Sequence, residues 1–259
     1  MKNYVPDVCL VSPLHDPEGR LSGMIKKHGK KLKSLYYGYV YVKITRETHP
    51  DTLKALNTVK IQYSKQTSKS GYTSIGRSYR EAIMMGIKTK TRHIHLCDFD
   101  RALHWIESFP NELRDIVELL PSNYGLTWIG RTNRAFNTHP KTQQHTEAIV
   151  NEIASSKAGL DIDIMSGSFA MDLDTAKTLL KSTKRNDFSL YAEFVMAALK
   201  RGIPMYSIVA DGLEWETPDQ FRDKIRREGY QDWLDEFMSL PEWKRRVELL
   251  ERNSDVLTE

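Results

Sequence analysis

Apolar, strand-like runs alternate with helix-patterned stretches through the first two thirds of the chain, and this alternation restricts the fold more than any other feature. Val8-Cys9-Leu10-Val11 opens the series and is expected to break at Ser12-Pro13. A Lys-rich helix is expected from about Glu18 to Lys33, followed by an aromatic, β-branched strand from Tyr36 to Ile44. Thr48-His49-Pro50-Asp51 places Pro and Asp where a helix start favours them, and Val59 to Tyr63 reads as the next strand. A helix from Ser74 to Met85 ends at Gly86, ahead of a strand at His93 to Cys97. Arg101 to Leu120 is amphipathic, with a break at Pro110, and Tyr124 to Ile129 is again a strand. Such a βαβ series makes a layered sheet with helices on its faces, its strands expected to be parallel and its crossovers right-handed.

Further along, the pattern loosens. Arg131 to Pro140 is polar and reads as a long loop, and Glu147 to Ser155 as a helix. Ile162-Asp163-Ile164-Met165 leads into Ser166-Gly167-Ser168. Helices are expected at Leu173 to Leu180 and Leu190 to Lys200, and a last strand at Ile203 to Val209 with Pro204 at its start or on an edge. From Pro218 onward all is helical, charged and Trp-bearing. The boundaries expected are one domain over residues 1–217 and a helical appendage over 218–259 packed on it.

A chain of 259 residues can bury a core of this size. Its net charge of +4 suits phosphates or an anionic acceptor but lacks the dense basic character of a nucleic-acid binder. The densest basic patch, Lys26-Lys27-His28-Gly29-Lys30-Lys31-Leu32-Lys33, reads as a solvated helix face. Cys9 and Cys97 both sit in apolar runs, as buried free thiols compatible with a reducing cytosol. There is no signal-peptide core and no apolar stretch of the ~18 residues a membrane span needs, so a soluble, cytoplasmic protein is expected.

The chemistry centres on Cys97-Asp98-Phe99-Asp100. On an extended strand, carboxylates at i and i+2 share a face, and the C-terminal edge of an α/β sheet is where such folds bind ligands. Hard oxygen ligands there suit Mg²⁺ or Mn²⁺, which in turn clamps a diphosphate. Asp100 alternatively caps the helix that follows. Arg77 and Arg80 are spaced to share a helix face and to address a diphosphate together, or else to lie in solvent paired with Glu81. His93 and His95 alternate on one strand face and read as packed core residues.

The order of these motifs over roughly residues 7 to 217 resembles the nucleotide-sugar glycosyltransferases of the GT-A fold, in particular glycosyltransferase family 2. Val11-Ser12-Pro13-Leu14-His15-Asp16 stands where that family's first strand ends and meets the nucleotide. Ser70-Gly71 and Gly76 to Ala82 stand where it has a Gly and a basic helix, and Asp98-Phe99-Asp100 where it has its acidic motif. Met165-Ser166-Gly167-Ser168-Phe169 is similar to its acceptor loop. Asn186-Asp187 and Gly202 are similar to its acidic pair and the Gly that ends the following helix, with Asn in place of the usual Glu. The family often carries a His after the last strand, whereas this chain has none beyond His145.

The resemblance implies a single Rossmann-like GT-A domain with a mostly parallel central sheet. It also implies transfer of a sugar from a nucleotide-diphosphate donor to a sugar, lipid or small-molecule acceptor. The expected site has Asp98 and Asp100 on a divalent cation (Mn²⁺ or Mg²⁺), and Pro13, His15, Asp16, Arg77, Arg80, Asp98, Ser166 and Gly167 on substrate. Asp187 would be the base that takes the acceptor proton if the reaction inverts, or else a plain helix cap. Asp211, Glu214 and Glu216 follow the last strand and would add a metal ligand or contact the acceptor, or else simply solvate the loop. Two rival readings stay open: a sugar-phosphate nucleotidyltransferase, for which Gly19-Arg20 is a thin signal, and a degenerate GT-A domain that only binds.

Overall fold

The computed structural model describes residues 7–66 and 74–259; the Ser70-Gly71 motif lies outside them. The first half runs β1 (Val8–Leu14), α1 (Ser22–Leu35), β2 (Val40–Ile44), α2 (Pro50–Val59), β3 (Gln62–Lys65), α3 (Ile75–Ile87) and β4 (His93–Cys97). Then come α4 (Phe99–Ser108), α5 (Pro110–Leu119), β5 (Leu126–Arg131), α6 (Asn133–Asn137), α7 (Lys141–Ala158) and β6 (Ser168–Asp172). The chain closes with α8 (Leu173–Ser182), α9 (Leu190–Arg201), β7 (Met205–Ala210), α10 (Thr217–Gln220), α11 (Arg222–Glu228), α12 (Tyr230–Glu236) and α13 (Leu240–Thr258).

The seven strands form one sheet in the order β3-β2-β1-β4-β6-β5-β7. All pairings are parallel except those of β6, which runs antiparallel between β4 and β5. The expected alternation and its crossovers are therefore present, with one insertion the sequence pattern did not show. Ser168-Phe169-Ala170-Met171-Asp172 has no β-branched residue and is five residues long. Its extended form comes from ladder bonds on both sides. Phe169 and Met171 enter one apolar cluster and Ala170 the other, so the strand is buried on both faces.

Other departures have local causes. β1 does not break at Ser12-Pro13 but continues to Leu14 beside β2. Tyr36 to Tyr39 is a turn rather than strand: Tyr37 (φ 50°) and Gly38 (φ 91°) reverse the chain, and the Gly38 N–H closes on the Lys33 carbonyl at 2.8 Å. The expected loop at 131–140 holds α6, capped by the Thr132 hydroxyl on the Ala135 N–H at 3.1 Å. Helix α7 starts six residues earlier than expected, because its first turns bury polar rather than apolar side chains (Thr142, Gln143, Gln144 and Thr146).

That polar burial follows from the chain's end. Helix α13 packs on α7 and α9, and Arg246 of α13 reaches Glu147 of α7 at 3.2 Å. The other carboxylate oxygen of Glu147 accepts from Arg131 at 2.7 Å, and Asp163 meets the same guanidinium at 2.7 and 2.9 Å. Trp215 stacks on Trp233, and Phe237 meets both rings edge to face. Among the described residues, no helix is long and apolar enough to cross a membrane.

Candidate functional site

Strand β4 is buried along its whole length and delivers Asp98 to the C-terminal edge of the sheet. The backbone there does not continue as a strand. Asp98 occupies the cap position of α4 without a side-chain cap bond, and Asp100 lies in the first helical turn. The shared strand face expected from the i, i+2 spacing is therefore not formed, since the chain turns helical at Phe99. The two carboxylates are nevertheless neighbours.

Each has defined partners. Asp98 Oδ1 accepts from the Tyr79 hydroxyl at 2.7 Å, and the Asp98 N–H donates to the Gly167 carbonyl at 3.2 Å. Asp100 Oδ1 accepts from its neighbour's N–H at 3.0 Å, and Oδ2 from the Gln220 amide at 2.9 Å. Gly167 has φ 70°, and a Cβ placed on it would come 2.7 Å from Asp98 Oδ2 and 3.4 Å from Arg101 Nε. A glycine is required both for that backbone conformation and for that approach.

Arg101 and Glu216 complete the cluster, both buried, with Nη2 3.4 Å from Oε2. Among the described residues, Arg101 Nε and Glu216 Oε2 have no hydrogen-bond partner, the latter being held by the ion pair alone. Burial, then the charge of Asp100, pushes the Asp98 carboxyl up to about 7, with Arg101 acting against the shift. Burial, then the charge of Glu216, pushes Asp100 up to about 6, again opposed by Arg101. Three carboxylates around one guanidinium are short of positive charge. That deficit and the second carboxylate oxygen of Asp98, which accepts no hydrogen bond among the described residues, fit a hard divalent cation. No group of three or more His, Cys, Asp or Glu side chains forms a ready-made cage among the described residues. A Mg²⁺ or Mn²⁺ site of this kind takes its remaining ligands from diphosphate and water.

The other expected site residues are placed less favourably. Pro13 lies inside β1 and not in the loop beyond it. His15 is exposed, and its Nδ1 lies 2.9 Å from the Thr45 hydroxyl, linking the ends of β1 and β2. Asp16 is buried and accepts from the Arg20 and Leu21 N–H groups and the Thr52 hydroxyl, at 2.9, 3.1 and 2.6 Å. Its carboxylate closes a turn and anchors α2, so it does not face a ligand. Ser166 is buried with its hydroxyl bonded within the loop to Ser168.

Arg77 and Arg80 do not act as a pair. Arg77 bonds Glu81 at 2.9 Å, and Arg80 donates to the Thr183 hydroxyl and the Leu180 carbonyl at 2.7 and 2.8 Å. The end of α8 holds Arg80, so a joint grip on a diphosphate is not what the structure shows. Asp187 Oδ1 accepts from the Ser189 N–H and hydroxyl, and Oδ2 meets Arg252 at 3.2 Å. Burial raises the Asp187 carboxyl, but the Ser189 and Arg252 contacts outweigh it and hold it below the usual range. A Cβ on Gly76 would strike the Asp187 carbonyl at 2.4 Å, so this segment docks on the start of α3. One turn on, Tyr79 and Tyr191 pack edge to face at 5.2 Å, and Tyr79 holds Asp98.

His95 is a core residue between the Tyr36 and Ser168 hydroxyls, its imidazole pushed down to about 3 by burial. Of the three carboxylates expected to be solvated, Glu216 is instead buried against Arg101, whereas Asp211 and Glu214 are partly exposed and both pair with Arg134. Nothing in the sequence singles out Tyr79, Arg101 and Gln220 as site residues, although Tyr79 lies within the Gly76 to Ala82 motif and Arg101 is adjacent to the acidic pair.

Comparison with protein-family models finds no match, and neither does comparison with curated sequences. Solved structures do match. Glucosyl-3-phosphoglycerate synthase from Mycobacterium tuberculosis, in complex with Mn²⁺, UDP and glucosyl-3-phosphoglycerate, gives a TM-score of 0.56 at 14% identity, over 79% of this chain and 70% of that one. The same enzyme with UDP alone gives 0.54 at 13% identity, over 79% and 70%. Mannosyl-3-phosphoglycerate synthase from Rubrobacter xylanophilus gives 0.52 at 10% identity, over 86% and 75%. At such identities the likeness shows the fold, which is of the GT-A type.

Proposed function

We propose that this chain is a glycosyltransferase that moves a sugar from a nucleotide-diphosphate donor to a hydroxyl acceptor, with a divalent cation bound at Asp98 and Asp100. The observation that carries this reading is the charge-deficient cluster of Asp98, Asp100 and Glu216 at the C-terminal edge of β4. Support comes from a GT-A neighbour crystallised with Mn²⁺ and UDP. The cation, when bound, neutralises the departing diphosphate. Tyr79 orients Asp98 and Gln220 orients Asp100, while Glu216 holds the Arg101 guanidinium beside them. In this reading residues 1–217 form the catalytic unit, and the 218–259 appendage contributes Gln220. The neighbours' phosphoglycerate complexes make a small phosphorylated acceptor the first to try.

The experiment is titration of the protein with Mn²⁺ and UDP, followed by assay of UDP release from UDP-sugars. Asp100→Ala is expected to abolish Mn²⁺-dependent UDP binding and turnover while leaving the fold intact. Full turnover in that variant would overturn the metal assignment and transfer the task to Arg101. Asp187 is the acceptor-activating base in this reading, and Asp187→Asn is expected to collapse transfer with donor binding unchanged. A mild effect would assign Asp187 to capping α9. A second reading, a domain that binds without turning over, is favoured by the structural engagement of Arg77, Arg80 and Asp187. UDP binding with no turnover on any sugar would establish it.

A further inference from the structure

The basic run on α1 does not lie wholly in solvent. Lys27 and His28 line a cavity of about 520 Å³, closed on its far side by α10 and α11. Its permanent cations are Arg20, Lys27, Arg222, Lys224, Arg226 and Arg227, facing the carboxylates of Glu107, Asp219 and Asp223, an excess of three positive charges in the lining, with Arg20 and Lys224 also paired outward to Glu18 and Glu236. We infer that this cavity is a binding site for a phosphorylated small molecule, separate from the acidic pair at the end of β4.

Several features make it a site rather than a solvated face. Its volume lies in the range of small-molecule pockets. The Arg20 guanidinium is held over the Phe221 ring, 4.1 Å from its centre, so one cation is fixed in position. Arg227 makes no ion pair among the described residues. Lys27 and Arg222 both converge on Glu107, at 2.9 and 3.2 Å, and Arg222 also bonds Asp219 at 2.7 Å. The remaining pairs, Arg20 with Glu18, Arg226 with Asp223 and Lys224 with Glu236, are largely solvent-exposed and therefore weak. A phosphoryl group, with its oxygens and near-double charge, displaces such contacts at little cost and gains charge-assisted bonds. The wall continues to the acidic pair through Gln220, which lines the cavity and holds Asp100.

The test is equilibrium binding of inorganic phosphate and of glycerol 3-phosphate to the full chain, against chloride at equal ionic strength. Saturable binding is expected, tighter for the ester if the cavity serves a metabolite and equal if it takes any phosphate. The double variant Lys27→Ala/Arg227→Ala is expected to lose affinity about tenfold or more, since two cationic donors are removed. Lys30→Ala, on the exposed part of the same helix, is expected to bind as the wild type does. Absence of saturable binding, an unchanged double variant, or an equal loss in Lys30→Ala would overturn the inference. Arg20→Glu provides a second variant on a separate wall. Mn²⁺ and UDP titrations on the same proteins report independently on the acidic pair, so failure of either site is read separately.

Discussion

At the scale of single residues, the candidate site depends on groups whose neighbours dictate their identity. Gly167 is the clearest case, because its backbone is left-handed and the space a Cβ needs is taken by Asp98 Oδ2. Gly167→Ala is expected to cost about 1–3 kcal/mol in urea unfolding, the range for strained non-glycine backbone, and to weaken Mn²⁺ binding by displacing Asp98. Asp16 gives the opposite lesson, since a residue suited to ligand contact is consumed by three internal hydrogen bonds. Asp16→Ala is expected to lower stability by about 2 kcal/mol while leaving UDP affinity unchanged, as calorimetry would show. The sequence pattern gave Asp98 and Asp100 together but for a geometric reason that does not hold. They meet because a helix starts between them, not because a strand continues.

At the scale of elements, α4 and α10 are tied by a histidine. His104 Nδ1 lies 2.6 Å from Asp219 and Nε2 3.2 Å from Glu214. Burial opposes the imidazolium, but the Asp219 bond and the charges of Asp219, Glu214 and Glu216 outweigh it and raise its pKa above the ordinary value. The link is therefore complete below about pH 6.5, the unfolded value, and is lost as pH rises through the higher folded value. The difference in urea midpoint between wild type and His104→Gln is expected to shrink steadily as pH rises above neutrality. A difference independent of pH would show that the imidazole is bound neutral. Strand β6 shows why one element escaped the periodicity. A short strand buried on both faces and paired on both sides needs no alternation, and its hydrogen bonds come from β4 and β5, which lie far from each other in sequence.

At the scale of the whole molecule, the C-terminal helices are bound into the sheet through charge. Glu147 lies between Arg131 of β5 and Arg246 of α13, and all three side chains are largely buried. Glu147→Ala is expected to cost about 1.5–3 kcal/mol, the range for hydrogen bonds to charged groups, because Asp163 still holds Arg131 and Glu242 still holds Arg246. With α13 bound in this way, unfolding followed by Trp fluorescence and by far-ultraviolet circular dichroism is expected to give coincident transitions. A separate early loss of the Trp215–Trp233 cluster would mean that residues 218–259 unfold alone. The sequence by itself determined the layered α/β plan, the acidic step after β4, the buried thiols and the core histidines. Local hydropathy and turn chemistry act within a few residues, so each of these can be read from its own neighbourhood. The tertiary structure alone decided that β6 enters antiparallel, that Arg80 and Asp16 serve the scaffold, and that Tyr79, Arg101, Glu216 and Gln220 join Asp98 and Asp100. Those outcomes depend on which distant segments the sheet order brings to one edge, where burial and like charge act between residues more than a hundred positions apart in the chain.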